Sequence, residues 1–282
     1  MLHSLYWAAM MVTDNIMSLR AGKVVSPTFV AQLQRLVPGV SLSSLDITGY
    51  AKLLEDIKHQ VGERERTVVN LAVALNYLRF KLEGRDVPLA GSYPKQIQDA
   101  VAILAPGAED FIELMLEPSE DKLVMIASVT YLHYLLEGLV FSLQEERVAA
   151  FSLGLEQGVG LFLGFLQSIA DEFPADFGRS SIIESTRHLV RSDLFRKLQH
   201  LGPPNPGKGH LWVNYLKAIL DKDDPAVDQC IREILADSPL LKGSLAFYSK
   251  SALKVSGEHL NQTTMIAIRP LCLQIGASLA WV

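Results

Sequence analysis

Only two cysteines occur in the 282 residues, Cys230 and Cys272, far apart in the chain. Their spacing matches no metal-ligand or dithiol redox pattern and excludes a disulfide scaffold, which suits two buried thiols in a reducing, cytoplasmic setting. Alternating or β-branched runs bounded by turns are nearly absent, so the chain offers nothing from which to build a sheet. An excess of positive charge is missing too. With 26 basic and 31 acidic residues, a net charge of −5 argues against whole-surface attraction to nucleic acid or anionic lipid and leaves room only for local basic patches. The opening stretch MLHSLYWAAMMVTDNIMSLR lacks the basic region of a signal peptide and reads as an amphipathic helix. Without a secretory signal, the sequon Asn261-Gln262-Thr263 is read as chance.

Apolar residues, 49% of the chain, recur at helical spacing almost everywhere, which predicts an all-α fold. The spacing places helices at roughly 2–20, 27–37, 48–61, 64–82, 94–104, 108–116, 120–144, 147–172, 180–200, 210–220, 225–236, 239–254, 257–268 and 270–281. Ser26-Pro27, Asp224-Pro225 and Ser238-Pro239 each put a capping side chain before a helix-starting proline. Helix lengths vary too much for a fixed repeat, so a multi-helix bundle is expected in preference to a solenoid. The proline-rich loop at 202–209 is the expected boundary between a main bundle, 1–201, and a C-terminal helical subdomain, 210–282, packed on it, with one domain as the alternative.

Leu123 to Leu143 and Val148 to Ala170 are long apolar stretches joined by Gln144-Glu145-Glu146-Arg147. Each could span a bilayer by length. His133, Glu137 and Glu156 would each cost a few kcal/mol there, and the acidic flanks lack the cations that fix topology. The pair is therefore expected as a central buried helical hairpin. Gly154, Gly158, Gly160 and Gly164 each weaken a helix by about 1 kcal/mol. Spaced four apart on two sides, they are expected to admit close neighbours. Val68 to Leu78, whose only side-chain amides are Asn70 and Asn76, is expected as a third core helix.

The stretch GPPNPGKGH, Gly202 to His210, fits G-x-x-x-x-G-K-[ST] up to its last position, where Gly209 replaces the hydroxyl residue. A phosphate loop works by pointing backbone N–H groups at oxygens, and Pro203, Pro204 and Pro206 have none. No strand precedes it either, so the loop is expected to be a stiff connector. Three acid–histidine pairs spaced four apart raise a metal site, since helical bundles hold dinuclear centres with inward carboxylates and imidazoles. Helical geometry turns Glu55 with His59, and Glu184 with His188, toward water. His133 and Glu137 alone face inward. One pair cannot make a metal site, so no metal or cofactor is expected. The two remain the weak candidates for acid/base catalysis, against their reading as a satisfied polar pair in the core.

Basic residues gather on 178–209, and Arg187, Arg191, Arg196 and Lys197 form a candidate contact surface. They make no single stripe and can pair with the chain's own acidic 105–176 segment. No motif ties the chain to a family. The expected function is binding of a protein partner without catalysis. The first alternative is an enzyme or carrier with an apolar small-molecule pocket near His133 and Glu137, and the second is a protein that inserts its central helices into a membrane.

Overall fold

The computed structural model describes residues 1–25, 27–39, 41–88, 92–145, 155–173, 181–237, 242–255 and 260–279. The expected caps at Ser26 and Ser238, the link at 146–154 with Gly154, and a chain break at Pro174 to Gly178 lie outside them. Among the described residues the chain forms fourteen helices and no strand, an all-α multi-helix bundle. Contacts divide it into two compact units, Met1–Glu109 and Asp110–Val282. The division expected at 202–209 is therefore not where the contacts separate.

The first unit holds α1 (Leu2–Arg20), α2 (Pro27–Leu36), α3 (Ile47–Gln60), α4 (Glu63–Leu82) and α5 (Tyr93–Leu104). α4 lies against both α1 and α5, and α1 also packs on α3 and α2. Ala8 and Ala9 of α1, with Ala72 and Ala74 of α4, are fully buried. Val68, Val69, Leu71 and Leu75 fill the same core, each contributing about 1.5–3 kcal/mol by leaving water. Asp46 starts α3 by accepting from the Gly49 N–H at 2.7 Å, and Ser44 donates to the same carboxylate at 2.7 Å. These bonds hold the Asp46 carboxyl below its ordinary pKa. α4 is thus the core helix of this unit. Its Asn76 is fully buried and donates to Met10 O at 3.1 Å and Thr13 Oγ1 at 2.6 Å, whereas Asn70 is exposed.

The second unit contains α6 (Glu109–Met115), whose first residue lies just before it, and α7 (Lys122–Glu145), α8 (Leu155–Glu172), α9 (Ser181–Arg191) and α10 (Asp193–Gln199). It continues with α11 (Pro206–Asp221), α12 (Asp224–Asp237), α13 (Lys242–Lys254) and α14 (Leu260–Leu279). Both long apolar helices are buried, as their composition requires. α7 packs chiefly on α14 and then α9, while α8 packs on α11, α9 and α14. The expected hairpin is therefore splayed around α9 and α14, and its arms meet at the Tyr131–Phe162 edge contact, 5.5 Å between ring centres.

Four helix boundaries depart from the sequence reading, one being the start of α11 at Pro206, inside the loop expected at 202–209. The helix expected over 180–200 breaks at Ser192, whose Oγ accepts from the Phe195 N–H at 3.2 Å and so starts α10. The two helices expected at 257–268 and 270–281 are one, α14, with Pro270 inside it. An internal proline costs about 3 kcal/mol, and packing on α7, α13, α11 and α8 holds both halves in line. α12 is capped by Asp223 rather than Asp224, through the Ala226 N–H at 3.1 Å.

Glycine explains two crossings. A Cβ on Gly276 of α14 would collide with the carbonyl of Leu135, and one on Gly138 of α7 with the backbone of Leu273. The two helices therefore touch backbone to backbone. On α8, a Cβ on Gly160 would lie 2.6 Å from Pro203 O, and one on Gly164 would strike Asn205. The Asn205 N–H donates to Gly160 O at 2.8 Å. The expected close neighbour of this glycine pair is thus the 203–205 loop, followed by Gly209 on α11.

Candidate functional site

His133 and Glu137 sit one turn apart on α7, with residue exposures of 8% and 0%. A bare carboxylate that deep would be untenable, and an isolated buried ion shifts or finds a partner. Arg269 supplies the partner from α14. Its Nε donates to Glu137 Oε2 at 2.9 Å and its Nη2 to Oε1, a two-pronged pair that suits the guanidinium fork. The other face of the guanidinium lies over the Tyr248 ring of α13, 4.4 Å from its centre, and 5.9 Å from that of Tyr134. Burial opposes the charge on Arg269, but the charge and hydrogen bonds of Glu137 outweigh it and hold the pKa above its ordinary value. Burial, seconded by Glu137, pushes the Tyr248 phenol and the Cys272 thiol well up, so both stay protonated.

Chemically, this cluster is poorly suited to proton transfer. A general base needs a lone pair aimed at substrate, and both Glu137 oxygens face a guanidinium that does not deprotonate in proteins. Its geometry ties α7, α13 and α14 into register. Arg269 was not among the residues singled out from sequence, although it is the sole charge from Leu260 to the end of the chain. A lone charge in so apolar a run was the signal that it faces an opposite charge inside.

The other acid–histidine pairs face water as expected: Glu55, His59, Glu184 and His188 are all exposed. Among the described residues, no group of three or more His, Cys, Asp or Glu side chains converges to hold a metal ion. Cys272 is buried, but Cys230 is only partly so, which corrects the expectation of two buried thiols. Of the GPPNPGKGH segment only Gly202 to Asn205 connects, because Pro206 to Gly209 already form the first turn of α11, which corrects the connector expected over 202–209; the helix before the segment is α10, where a phosphate loop would follow a strand.

The basic residues of α9 and α10 are largely turned to the chain's own groups. Lys197 binds Glu117 with Nζ to Oε2 at 2.6 Å, Arg196 pairs with Asp193, and Arg187 donates to Phe173 O. Arg191 is exposed. His188 Nδ1 lies 2.8 Å from Asp121 Oδ2, while Asp121 Oδ1 accepts from the Leu123 N–H at 2.8 Å and so caps α7. The His188 bond is the main reason the Asp121 carboxyl titrates below its ordinary 3.8, with the α7 amides assisting against partial desolvation. A lowered carboxyl pKa adds stability that is complete above the unfolded value and is lost as pH falls through the folded one. Replacing His188 with alanine is therefore expected to move the Asp121 titration, followed by carbon-detected NMR, up toward 3.8; an unchanged titration would show that the bond does not form in solution.

Three clefts lined by described residues lie away from His133. The first, about 630 Å³, is lined by Met17, Leu19, Arg20, Ala21, Lys23, Ile47, Arg85 and Asp86. The second, about 430 Å³, lies between α4 and α5 beside Ile103, and the third, about 360 Å³, is at the Gly160–Pro204 contact. Comparison of the chain with protein-family models, curated proteins and solved structures finds no match.

Proposed function

We propose that the protein works by binding another protein, without catalysis of its own. The observation that carries this reading is the state of Glu137: the one fully buried carboxylate among the described residues has both oxygens committed to Arg269. A catalyst or carrier needs an anchor that can exchange partners. The glycine surface that a flat ligand would need is likewise filled at Gly164, by the chain's own Asn205 backbone. Large apolar side chains meanwhile stand in water, among them Ile103 at 63% exposure on the rim of the α4–α5 cleft, with Val73, Ala100 and Asp99 beside it. Exposed apolar groups beside a cleft with a polar rim are the usual makings of a protein contact.

Membrane insertion has weaker support. Lys122–Gln144 is long and apolar enough to span a bilayer, but 72% of that window is buried inside the fold, so it would first have to leave α14 and α9. A cytoplasmic setting accords with two free thiols.

A photo-crosslinking amino acid at position 103 tests the reading. A discrete protein adduct is expected, lost when Val73 is replaced by arginine and absent with the crosslinker at exposed Glu55. Equal labelling from positions 55 and 103 would overturn it.

A further inference from the structure

The first unit carries a second feature, independent of the protein-binding reading. Its 630 Å³ cleft opens where α1 ends, α3 begins and the chain leaves α4. That volume lies within the range of small-molecule sites. One wall is apolar: Met17 is 2% exposed, Leu19 is half-buried, and Ile47 stands 39% in water. The rim is cationic, with Arg20, Lys23 and Arg85 against Asp86 alone. Glu83 draws on Arg85 from outside the lining, Nε to Oε2 at 3.1 Å, so the field concentrates on Arg20 and Lys23.

Arg20 and Asp86 form an unequal pair. Their atoms lie 2.6 Å apart, but the Arg20 side chain is 33% exposed and that of Asp86 is 90% exposed. The Arg20 side chain, at the end of α1, is the more sheltered of the two, whereas the carboxylate hangs in solvent. Ion pairs with so exposed a partner contribute about 0–1 kcal/mol, and the carboxylate can be exchanged for a better-seated oxyanion. Asp86 thus occupies the place that a ligand's acidic head would take. Met17, Leu19 and Ile47 line the same cleft and supply its apolar side.

We propose that this cleft binds an amphiphilic organic anion, with a phosphate or carboxylate head that displaces Asp86 from Arg20 and an apolar body lying on Met17, Leu19 and Ile47. Lys23, exposed at the rim, closes on the head from the far side. Arg20 fixes the head because its fork can meet two oxygens at once. The Ile47 side chain gains the cover it lacks in the free protein.

Calorimetry on the full chain tests this with hexyl phosphate, inorganic phosphate and uncharged hexyl glucoside as probes. Hexyl phosphate is expected to bind more tightly than either of the others, since only it uses both walls. R20Q should weaken it about tenfold, the loss of one charged hydrogen-bonding group. D86N should tighten it about threefold by removing the competitor. I47S should weaken hexyl phosphate while leaving inorganic phosphate unchanged. If R20Q alters the circular dichroism spectrum, K23Q and D86N alone decide the matter, with opposite shifts expected. Equal affinity for hexyl phosphate and hexyl glucoside, no binding of any probe, or no response to D86N would overturn the assignment.

Discussion

Replacing Glu137 with leucine is expected to destabilise the second unit by about 3 kcal/mol, because Arg269, whose side chain is only 17% exposed, then lacks its counter-charge. Arg269→Met should cost a similar amount from the other side, leaving a carboxylate at zero exposure without its guanidinium. The two losses should not add. A buried pair replaced by apolar residues of matching volume is often neutral, so the double variant should recover most of the stability and give a large coupling in a double-mutant cycle. Urea unfolding followed by the fluorescence of Trp212, which is buried in α11, in a background with Trp7 and Trp281 replaced by phenylalanine, reads the effect in this unit. Single variants that lose less than about 1 kcal/mol would show that the pair is hydrated in solution, and the argument against catalysis at Glu137 would fall with it.

The second large effect is expected at the α7–α14 crossing. Alanine at position 276 would place its Cβ within the Leu135 carbonyl, and the obstacle is helix backbone with no rotamer to adopt. Overpacking typically costs about 1–3 kcal/mol where side chains can yield; with backbone on both sides the helices must part, and Gly276→Ala should reach or exceed the top of that range. Gly138→Ala should behave alike, since its Cβ would meet Leu273 backbone. Gly243→Ala is the control: its Cβ would meet nothing within 4 Å, and a stable protein is expected. Hydrogen exchange should show the loss confined to the second unit, accelerating in α7 and α14. Normal protection of α7 in Gly276→Ala would refute the backbone contact.

Much of the fold was legible in the sequence because helix periodicity and punctuation are local signals. α1, α4 and α12 begin and end within one or two residues of the apolar pattern that predicts them. Where local rules failed, a distant partner decided. Pro270 should end a helix, but α14 runs through it because neighbours grip both halves. Ser192 has no apolar pattern to betray it and breaks a helix by capping the next. The splaying of α7 and α8 could not be read from two apolar stretches, since hydrophobicity says that a helix is buried but not beside what. The candidate site divides the same way. Burial of His133 and Glu137 followed from their apolar surroundings, whereas Arg269 lies on another helix at a sequence separation of 132. Two solitary opposite charges, each in its own apolar run, were the available clue.

The placement of α14 bears on how the chain comes to be made. α7, complete at Glu145, finds its chief cover in α14, which begins only at Leu260, so one side of α7 lacks its mate until α14 has been made. Ribosomal elongation runs at about 5–20 residues per second, which leaves that oily flank uncovered for several seconds after α7 has emerged. Escorts that shield nascent hydrophobic segments have their clearest target there, and the nascent second unit stays adhesive until α14 has docked.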